Sequence, residues 1–337
     1  MGRTGVLLLN VGTPDAPRPR EVRRYLRAFL GDRRVLDLPA LPRLLLLETA
    51  ILPFRPRQSA EAYHKVWTEE GSPLLVHGRA FARALGEALG PEHVVRLAMR
   101  YGNPGIAEAL ADLRAAGCDR LVLFPLFPQY AAATTGTAVA AVFEALAAGW
   151  DVPPISVVPP FFDDPGTLAA MAAVGKPVLE ELRPEHVLFS FHGLPERQIV
   201  RSDPTGAHCL RSPDCCDRPV PLCYRAQAVA TARGLAAALS LPEGRWSLAF
   251  QSRLGRTPWI QPYTDVRVRE LAASGVKRLA VFSPAFVADC LETLEEIGLR
   301  ARDDFLAHGG EAFQLVPSLN AHPAWVGAAG DLVRRAC

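Results

Sequence analysis

One histidine stands where a side chain could handle protons or a metal ion. His192 follows the apolar run Val187–Phe191 and precedes Gly193-Leu194-Pro195, so a strand is expected to end there with the imidazole at its carboxyl end. A neutral imidazole accepts a proton near pH 7 or ligates a borderline metal ion. The alternative is a structural histidine that bonds a loop carbonyl.

An acidic stretch follows another predicted strand. Glu292 and Glu296 are four residues apart, so they share a helix face, where like charges cost about a few tenths of a kcal/mol. Capping of a helix N-terminus explains Asp289 well and Glu296 poorly. Arg300, one turn further, could pair with Glu296 as a structural alternative. Together His192 and Glu292 offer one nitrogen and one carboxylate, a set that suits Fe²⁺, Co²⁺ or Zn²⁺ held loosely.

Four of the seven cysteines lie close together in the chain, and prolines stiffen the loop between them. Such clusters in a reduced compartment are usually metal sites, and four thiolates suit a [2Fe–2S] cluster or structural zinc. Free thiols or a regulatory disulfide remain alternatives. The four are Cys209, Cys215, Cys216 and Cys223.

The elements that must position these residues occur twice. The repeated pairs, in the same order, are Gly5–Pro14 with His186–Pro195, Leu97–Tyr101 with Leu248–Ser252, and Leu113–Phe124 with Leu271–Phe282. Short apolar runs alternate with longer Ala/Leu/Arg-rich stretches, which predicts parallel sheets covered by helices on both faces. The fold class is therefore α/β, with two copies of one parallel-sheet unit. Ligands of such sheets bind outside the carboxyl ends of the strands, so the chemistry is expected in a cleft where the domains face each other.

The Pro/Asp/Gly cluster at 159–166 predicts the domain boundary. We expect a first domain over 1–160 and a second over 161–320 that carries the Cys-rich insert 203–224. A last helix over 321–337 has no counterpart in the first half and is expected to pack back on the first domain. The predicted strands are Val6–Leu9, Val94–Met99, Arg120–Phe124, Ile155–Val158, Val187–Phe191, Ser247–Gln251, Arg278–Phe282 and Phe313–Val316.

Composition and motifs exclude several classes of protein. The net charge is +2, and no basic stripe suggests nucleic acid. Neither G-x-G-x-x-G after a strand nor a Walker A sequence occurs, which argues against nucleotide enzymes. No signal peptide and no apolar run of about 18 residues is evident, which predicts a cytoplasmic protein.

The segment Leu36–Phe54 is strongly apolar and has Arg43, Arg55 and Arg57 near it. It predicts either a buried core helix or a lip beside the pocket that docks on anionic lipid. The second alternative would place the protein peripherally on the inner face of the cell membrane.

Several motifs together resemble ferrochelatase. The similarity runs from Gly5 to about Leu332, in the right order and with high specificity. Its motifs are Leu188–Pro195, Arg100-Tyr101, Gln129-Tyr130 with Thr134-Thr135-Gly136, Gln251–Gly255 with Pro258-Trp259, and Ala288–Leu294. The resemblance implies insertion of Fe²⁺ into protoporphyrin IX to form protohaem, with the porphyrin in the cleft between two Rossmann-like domains.

The resemblance also implies roles for residues. His192 and Glu292 would handle the metal and the protons, and Glu296 would lie on a secondary acidic path. A further set would contact the porphyrin: Arg55, Arg100, Tyr101, Tyr130, Ser190 and Trp259. Some relatives hold a [2Fe–2S] cluster in an internal segment like the one here, which favours that cluster over zinc.

Two positions depart from the family pattern. Val11 stands where relatives that metallate coproporphyrin have tyrosine, which favours protoporphyrin as substrate. Cys290 stands where many relatives have a second histidine, and its role stays open. The alternatives are a chelatase for another divalent metal or tetrapyrrole, and a non-catalytic haem-binding or redox-sensing protein.

Overall fold

The computed structural model describes residues 2–255 and 257–337 and contains two four-stranded parallel sheets. The first sheet has the order β2-β1-β3-β4 and the second has β6-β5-β7-β8. All eight predicted strands are confirmed, with ends that differ by at most three residues. They are β1 (Arg3–Gly12), β2 (His93–Tyr101), β3 (Cys118–Pro125), β4 (Ile155–Val157), β5 (His186–His192), β6 (Trp246–Gln251), β7 (Arg278–Phe282) and β8 (Ala312–Leu315).

Twelve α-helices cover the sheets within the described residues. They are α1 (Pro19–Gly31), α2 (Ala40–Leu45), α3 (Arg55–Val66), α4 (Pro73–Leu89), α5 (Ile106–Ala115), α6 (Thr137–Ala147), α7 (Pro165–Leu182), α8 (Glu196–Arg201), α9 (Tyr224–Ala238), α10 (Thr264–Ala273), α11 (Arg302–Ala307) and α12 (Pro323–Ala336). Three further segments, Leu46–Ile51, Ala132–Gly136 and Glu292–Ala301, are π-helical, a form often found at functional sites.

The chain forms two compact units. The first comprises residues up to Phe127, Ala132–Pro159 and Val326–Cys337, and the second comprises Pro128–Ala131 and Pro160–Trp325. Each unit has its own sheet and core. Leu7, Leu9 and Leu123 are fully buried in the first core, and Leu188, Leu279 and Phe305 in the second.

The repeat seen in the sequence corresponds to the two sheets. Its first pair of segments forms the central strands β1 and β5, and a glycine stands at the corresponding position of both: Gly12 ends β1 and Gly193 directly follows β5. A Cβ at Gly12, whose φ is +113°, would lie 1.7 Å from the carbonyl oxygen of Tyr101. A Cβ at Gly193 would lie 2.8 Å from the carbonyl oxygen of Gln251. Only glycine lets the neighbouring backbone approach this closely, so the repeated glycine is a steric requirement.

The segment from Leu36 to Phe54 is only partly buried, which argues against the alternative of a buried core helix. It forms α2 and a π-helical turn, and Leu47 and Leu52 are buried. A buried core helix is nevertheless ruled out for the rest, because four of its large apolar side chains are 54–75% exposed: Leu41, Leu44, Leu45 and Phe54. Among the described residues, no helix is both long and apolar enough to cross a bilayer.

Candidate functional site

His192 is the last residue of β5, and its half-buried ring has a defined hydrogen bond. Nδ1 lies 2.6 Å from the carbonyl oxygen of Gly193. A carbonyl only accepts, so Nδ1 must carry the hydrogen, and in the neutral ring Nε2 then carries the lone pair. The strand end therefore presents an imidazole with one nitrogen available as a base or ligand.

Aromatic side chains flank the His192 ring. The ring centroid of Trp259 lies 6.4 Å away and that of Phe286 lies 6.3 Å away. The indole nitrogen of Trp259 donates to the carbonyl of Leu254 at 3.0 Å, and Trp259 forms a bridge with Pro195 in the turn after β5. These contacts fix an apolar wall beside the imidazole.

Glu292 begins the π-helical segment, and a strand residue holds its backbone. The amide of Gln251 donates to the carbonyl of Glu292 at 2.9 Å, and Gln251 is the register partner of His192 in the parallel sheet. The Ser190 hydroxyl donates to Gln251 Oε1 at 2.8 Å and lies 2.8 Å from the hydroxyl of Thr264. A chain of hydrogen bonds thus connects β5, β6 and the start of the π-helical segment.

Ser190, a predicted porphyrin contact, lies inside the second unit. Ser190 has no exposed surface, and its hydroxyl is occupied by Gln251 and Thr264. It lies two residues below the strand end. Ser190 orients Gln251 through this bond, and its contact with a porphyrin stays a prediction.

Glu296 accepts two hydrogen bonds from Ser252, from its amide at 2.7 Å and from its hydroxyl at 2.5 Å. Ser252 adopts a left-handed φ of +67°, which is uncommon outside glycine. Arg300 pairs closely with the buried Glu295 at 2.7 Å and lies 3.9 Å from Glu296. Arg300, which was expected as a partner of Glu296, therefore pairs mainly with Glu295.

Asp289 and Cys290, which lie just before this segment in the chain, are buried. Asp289 accepts hydrogen bonds from Thr293, Asn320 and the amide of Ser318, so its role is structural. Burial and the neighbouring Glu292 carboxylate raise the pKa of the Cys290 thiol. Cys290 thus stays protonated at neutral pH.

The first unit anchors two of the predicted porphyrin residues on one carboxylate. Asp32 Oδ2 accepts from Arg100 Nη2 at 2.9 Å, from the Tyr101 hydroxyl at 2.9 Å and from the Thr137 hydroxyl at 2.5 Å. Burial acts to raise the pKa of Asp32, but hydrogen bonds from Thr137, the Arg34 amide and Tyr101 outweigh it and lower that pKa. Asp32 is therefore ionised and holds Arg100 in place.

Tyr101, another predicted porphyrin contact, is also buried. Its side chain is buried beneath the Arg100 guanidinium, which lies 4.7 Å from the ring centroid, and burial raises the pKa of its phenol. A porphyrin contact of Tyr101 likewise stays a prediction. Arg100 and Arg55 are partly exposed, and burial lowers the pKa of Arg55. In the second unit, the half-buried Tyr130 donates its amide to Gln227 at 2.7 Å.

The Cys-rich segment runs between α8 and α9 without regular strands, as expected. Cys209 Sγ and Cys223 Sγ are 3.8 Å apart. Arg225 Nη1 lies 3.0 Å from Cys216 Sγ and 3.7 Å from Cys215 Sγ. Burial raises the pKa of Cys209 to about 12 and that of Cys216 to about 11, so the bare thiols are protonated.

Asp203 fixes the start of this segment. Its carboxylate accepts from the amides of Cys209 at 2.9 Å and His208 at 2.8 Å, and also from Thr205. These bonds, the one to the Cys209 amide first, lower the pKa of Asp203. Among residues 2–255 and 257–337, no group of three or more His, Cys, Asp or Glu side chains is arranged so that it could hold a metal ion.

The chain is similar to ferrochelatases over its whole length. The family model "Ferrochelatase" matches residues 3–337. The ferrochelatase of Azotobacter vinelandii is 50% identical over 333 residues, 98% of each chain. That of Pseudomonas aeruginosa is 48% identical and covers 99% of this chain and 98% of its own. The Coxiella burnetii ferrochelatase (strain CbuG_Q212) is 45% identical and covers 99% and 94%.

Solved structures support the fold. SirB from Bacillus subtilis with Fe³⁺ has a TM-score of 0.52 at 14% identity, covering 99% of this chain and 95% of its own. CbiX, the terminal enzyme for biosynthesis of siroheme in denitrifying bacteria, has a TM-score of 0.50 at 15% identity, covering 99% of both chains. The full-length match at 45–50% identity, with His192 and Glu292 at the carboxyl end of one sheet, shows that the chain belongs to the ferrochelatase family of metal chelatases.

Proposed function

We propose that this enzyme inserts Fe²⁺ into protoporphyrin IX, with His192 as the base that accepts pyrrole protons. The observation that carries the proposal is the imidazole at the end of β5, with Nε2 available and two aromatic rings beside it. Porphyrin and Fe²⁺ give protohaem and two protons, so the site must remove protons as the metal enters. General-base catalysis by a positioned histidine contributes about 10²–10⁴-fold in rate.

Glu292 has the second role, to carry protons away or to pass the iron towards the macrocycle. Gln251 holds the backbone of Glu292 relative to β5, and Glu296 lies four residues further along the same segment. Carboxylates can both accept a proton and ligate Fe²⁺. Glu296 thereby extends the acidic path.

Macrocycle distortion completes the mechanism. A flat porphyrin hides its nitrogen lone pairs, and bending it exposes them at a strain of about 1–5 kcal/mol drawn from binding elsewhere on the ring. Arg55 and Arg100 suit the propionates, because guanidinium groups pair with carboxylates through two parallel hydrogen bonds. Trp259 and Tyr130 supply apolar contact.

The activity is tested by anaerobic incubation with Fe²⁺ and protoporphyrin IX while porphyrin fluorescence is followed. We expect the fluorescence to fall with turnover, and to fall more slowly with coproporphyrin. Co²⁺ and Ni²⁺ with other tetrapyrroles form the comparison panel. Tight haem binding without any turnover would support the non-catalytic alternative instead.

We also propose that the four-cysteine segment holds a [2Fe–2S] cluster. Two thiolates on one tetrahedral metal, with bonds of about 2.3 Å, lie about 3.8 Å apart. The Cys209–Cys223 separation of 3.8 Å matches that value, and Arg225 offers positive charge to Cys215 and Cys216. Bound metal would replace the thiol protons. The cluster's role is structural or sensing, because metal insertion transfers no electrons.

Anaerobic purification tests the cluster. We expect iron–sulfur absorption in the visible range and labile sulfide, both lost in Cys215→Ser. Cys337→Ser, at the exposed C-terminal residue, is the matched control and should retain both. Stoichiometric zinc without sulfide would contradict the proposal.

A third proposal concerns peripheral contact with anionic lipid through residues 36–54. The exposed side chains of Leu44, Leu45 and Phe54 support it, as does the arginine-rich sequence around them. Apolar side chains beside cations favour binding at the surface of anionic bilayers. Such contact would deliver a poorly soluble porphyrin directly from the lipid.

Sedimentation with vesicles tests this contact. The native protein should sediment with phosphatidylglycerol vesicles and much less with phosphatidylcholine. The Leu44→Ser/Leu45→Ser variant should lose most of the binding, whereas Val266→Ser/Leu306→Ser, at exposed positions in the second unit, should keep it. Equal loss in both variants would count against the assignment.

A further inference from the structure

We propose that Tyr224 positions His192 for the reaction, and that α9 thereby links the four-cysteine segment to the catalytic strand end. This inference rests on the proposed roles of His192 and of the cysteines. Tyr224 is the first residue of α9 and directly follows Cys223. Its buried hydroxyl donates to the backbone carbonyl of His192 at 2.7 Å.

The hydrogen bond from Tyr224 acts on the peptide plane between His192 and Gly193. That plane ends at the Gly193 Cα, from which the next peptide group extends, and the carbonyl of that next group accepts the hydrogen from Nδ1 of the His192 ring. The Gly193 amide is held on the other side by the Gln251 carbonyl at 2.8 Å. With both ends of this plane bonded, the Gly193 Cα is anchored, which steadies the carbonyl that orients the ring and selects the tautomer with Nε2 as the base.

The same face of α9 holds a second part of the candidate site. Gln227 and Thr231 follow Tyr224 at helical spacing and so lie along one face. Gln227 Oε1 accepts from the amide of Tyr130 at 2.7 Å, and the Thr231 hydroxyl accepts from the amide side chain of Gln129 at 2.9 Å. One helix face thus supports both the base and a predicted porphyrin contact.

The first two residues of α9 contact different sites, the end of β5 and the four-cysteine segment. Tyr224 bonds the strand end, whereas Arg225 lies against the sulfur atoms of Cys215 and Cys216. Cys223, at the N-cap position, lies 3.8 Å from Cys209. Any change in how the cysteines are held therefore shifts the start of α9, and Tyr224 transmits that shift to His192.

Tyr224→Phe tests the positioning role, because it keeps the ring and removes only the hydroxyl. A hydrogen bond of ordinary strength predicts a fall in kcat of about 5- to 20-fold, with KM for the porphyrin within twofold. ¹⁵N-histidine NMR of the protein without substrates should show a changed tautomer signal for His192. Tyr63→Phe, at a buried tyrosine in α3, should change neither quantity.

The link to the cysteines is tested by a double-mutant cycle. Cys223→Ser should lower kcat. In that variant, Tyr224→Phe should lower kcat by a much smaller factor than it does in the native protein. Arg225→Gln repeats the cycle with all four cysteines kept, in case Cys223→Ser fails to fold. If the fold-decreases in kcat of the two single substitutions simply multiply in both double variants, the residues act independently and the link is overturned.

Two results would overturn the positioning role itself. One is a Tyr224→Phe variant with native kcat and an unchanged NMR signal. The other is a lower thermal stability accompanied by an unchanged signal, which would make Tyr224 merely structural. If instead His192→Gln is as active as the native protein, the proposed function fails, and that outcome is separate from the Tyr224 result.

Discussion

At the scale of single residues, the tautomer and the surroundings of the His192 imidazole are set by neighbours that the sequence alone does not identify. Its position at a strand end could be predicted, because an apolar run followed by Gly-Leu-Pro must stop there. The Gly193 carbonyl then selects the tautomer, and Trp259 and Phe286 supply the surroundings.

The porphyrin contacts of Ser190 and Tyr101 stay predictions, and the sequence could not show how the two side chains are placed. Spacing indicates which strand a residue belongs to, but not how far below the strand end its side chain is covered. Both residues are buried and hydrogen-bonded inside their own units. Gln251 received no role, because its partner is a backbone carbonyl 41 residues away, and no sequence pattern marks such a bond.

Ser190→Ala tests the revised role. Losing the bond that orients Gln251 should lower kcat by about 3- to 10-fold and leave KM for the porphyrin unchanged, since one hydrogen bond contributes about 1 kcal/mol. Ser274→Ala, at the end of α10, is the control and should be silent in steady-state kinetics. A raised KM for the porphyrin with a native kcat would instead support the predicted porphyrin contact of Ser190.

At the scale of elements, the strands were predictable and several helices were not. Buried parallel strands are continuous apolar runs, so all eight could be recognised. Helices α3 and α8 were missed, because α3 starts in a proline-rich apolar region and α8 is only six residues long. Helix α2 lies in the segment for which a buried helix was one of two alternatives. The π-helical geometry of Glu292–Ala301 has no propensity signal, since it depends on tertiary contacts such as those of Ser252 with Glu296.

The amino end of β5 contains a second histidine that makes stability depend on pH. His186 is buried against the Ser247 hydroxyl, and desolvation, with Arg267 and Arg245 nearby, lowers its pKa to about 4. In the unfolded chain His186 binds a proton below about pH 6.5, whereas in the native state it stays neutral down to about pH 4. Stability from this group is therefore lost as the pH falls through that interval.

His186→Gln should remove this loss. Between pH 7 and 4.5, we expect the free energy of unfolding to fall by about 2 kcal/mol more in the native protein than in the variant. Urea unfolding at both pH values measures the difference. Parallel pH dependence in the two proteins would show that His186 titrates normally.

At the scale of the whole molecule, two units with the same strand order carry different chemistry. Val11 occupies the position in the first unit that His192 occupies in the second, and the four-cysteine segment lies only in the second unit. The duplication was visible in three repeated segments. The functional asymmetry rests on few residues, so the family resemblance was needed to assign it.

The most direct test of the central claim compares the two histidines of β5. His192→Gln and His186→Gln place the same substitution at opposite ends of one strand, and anaerobic Fe²⁺ insertion into protoporphyrin IX is measured for both at pH 8. The account predicts a loss of at least about 100-fold for His192→Gln and less than about threefold for His186→Gln. A His192→Gln rate within a few-fold of the native rate would contradict it.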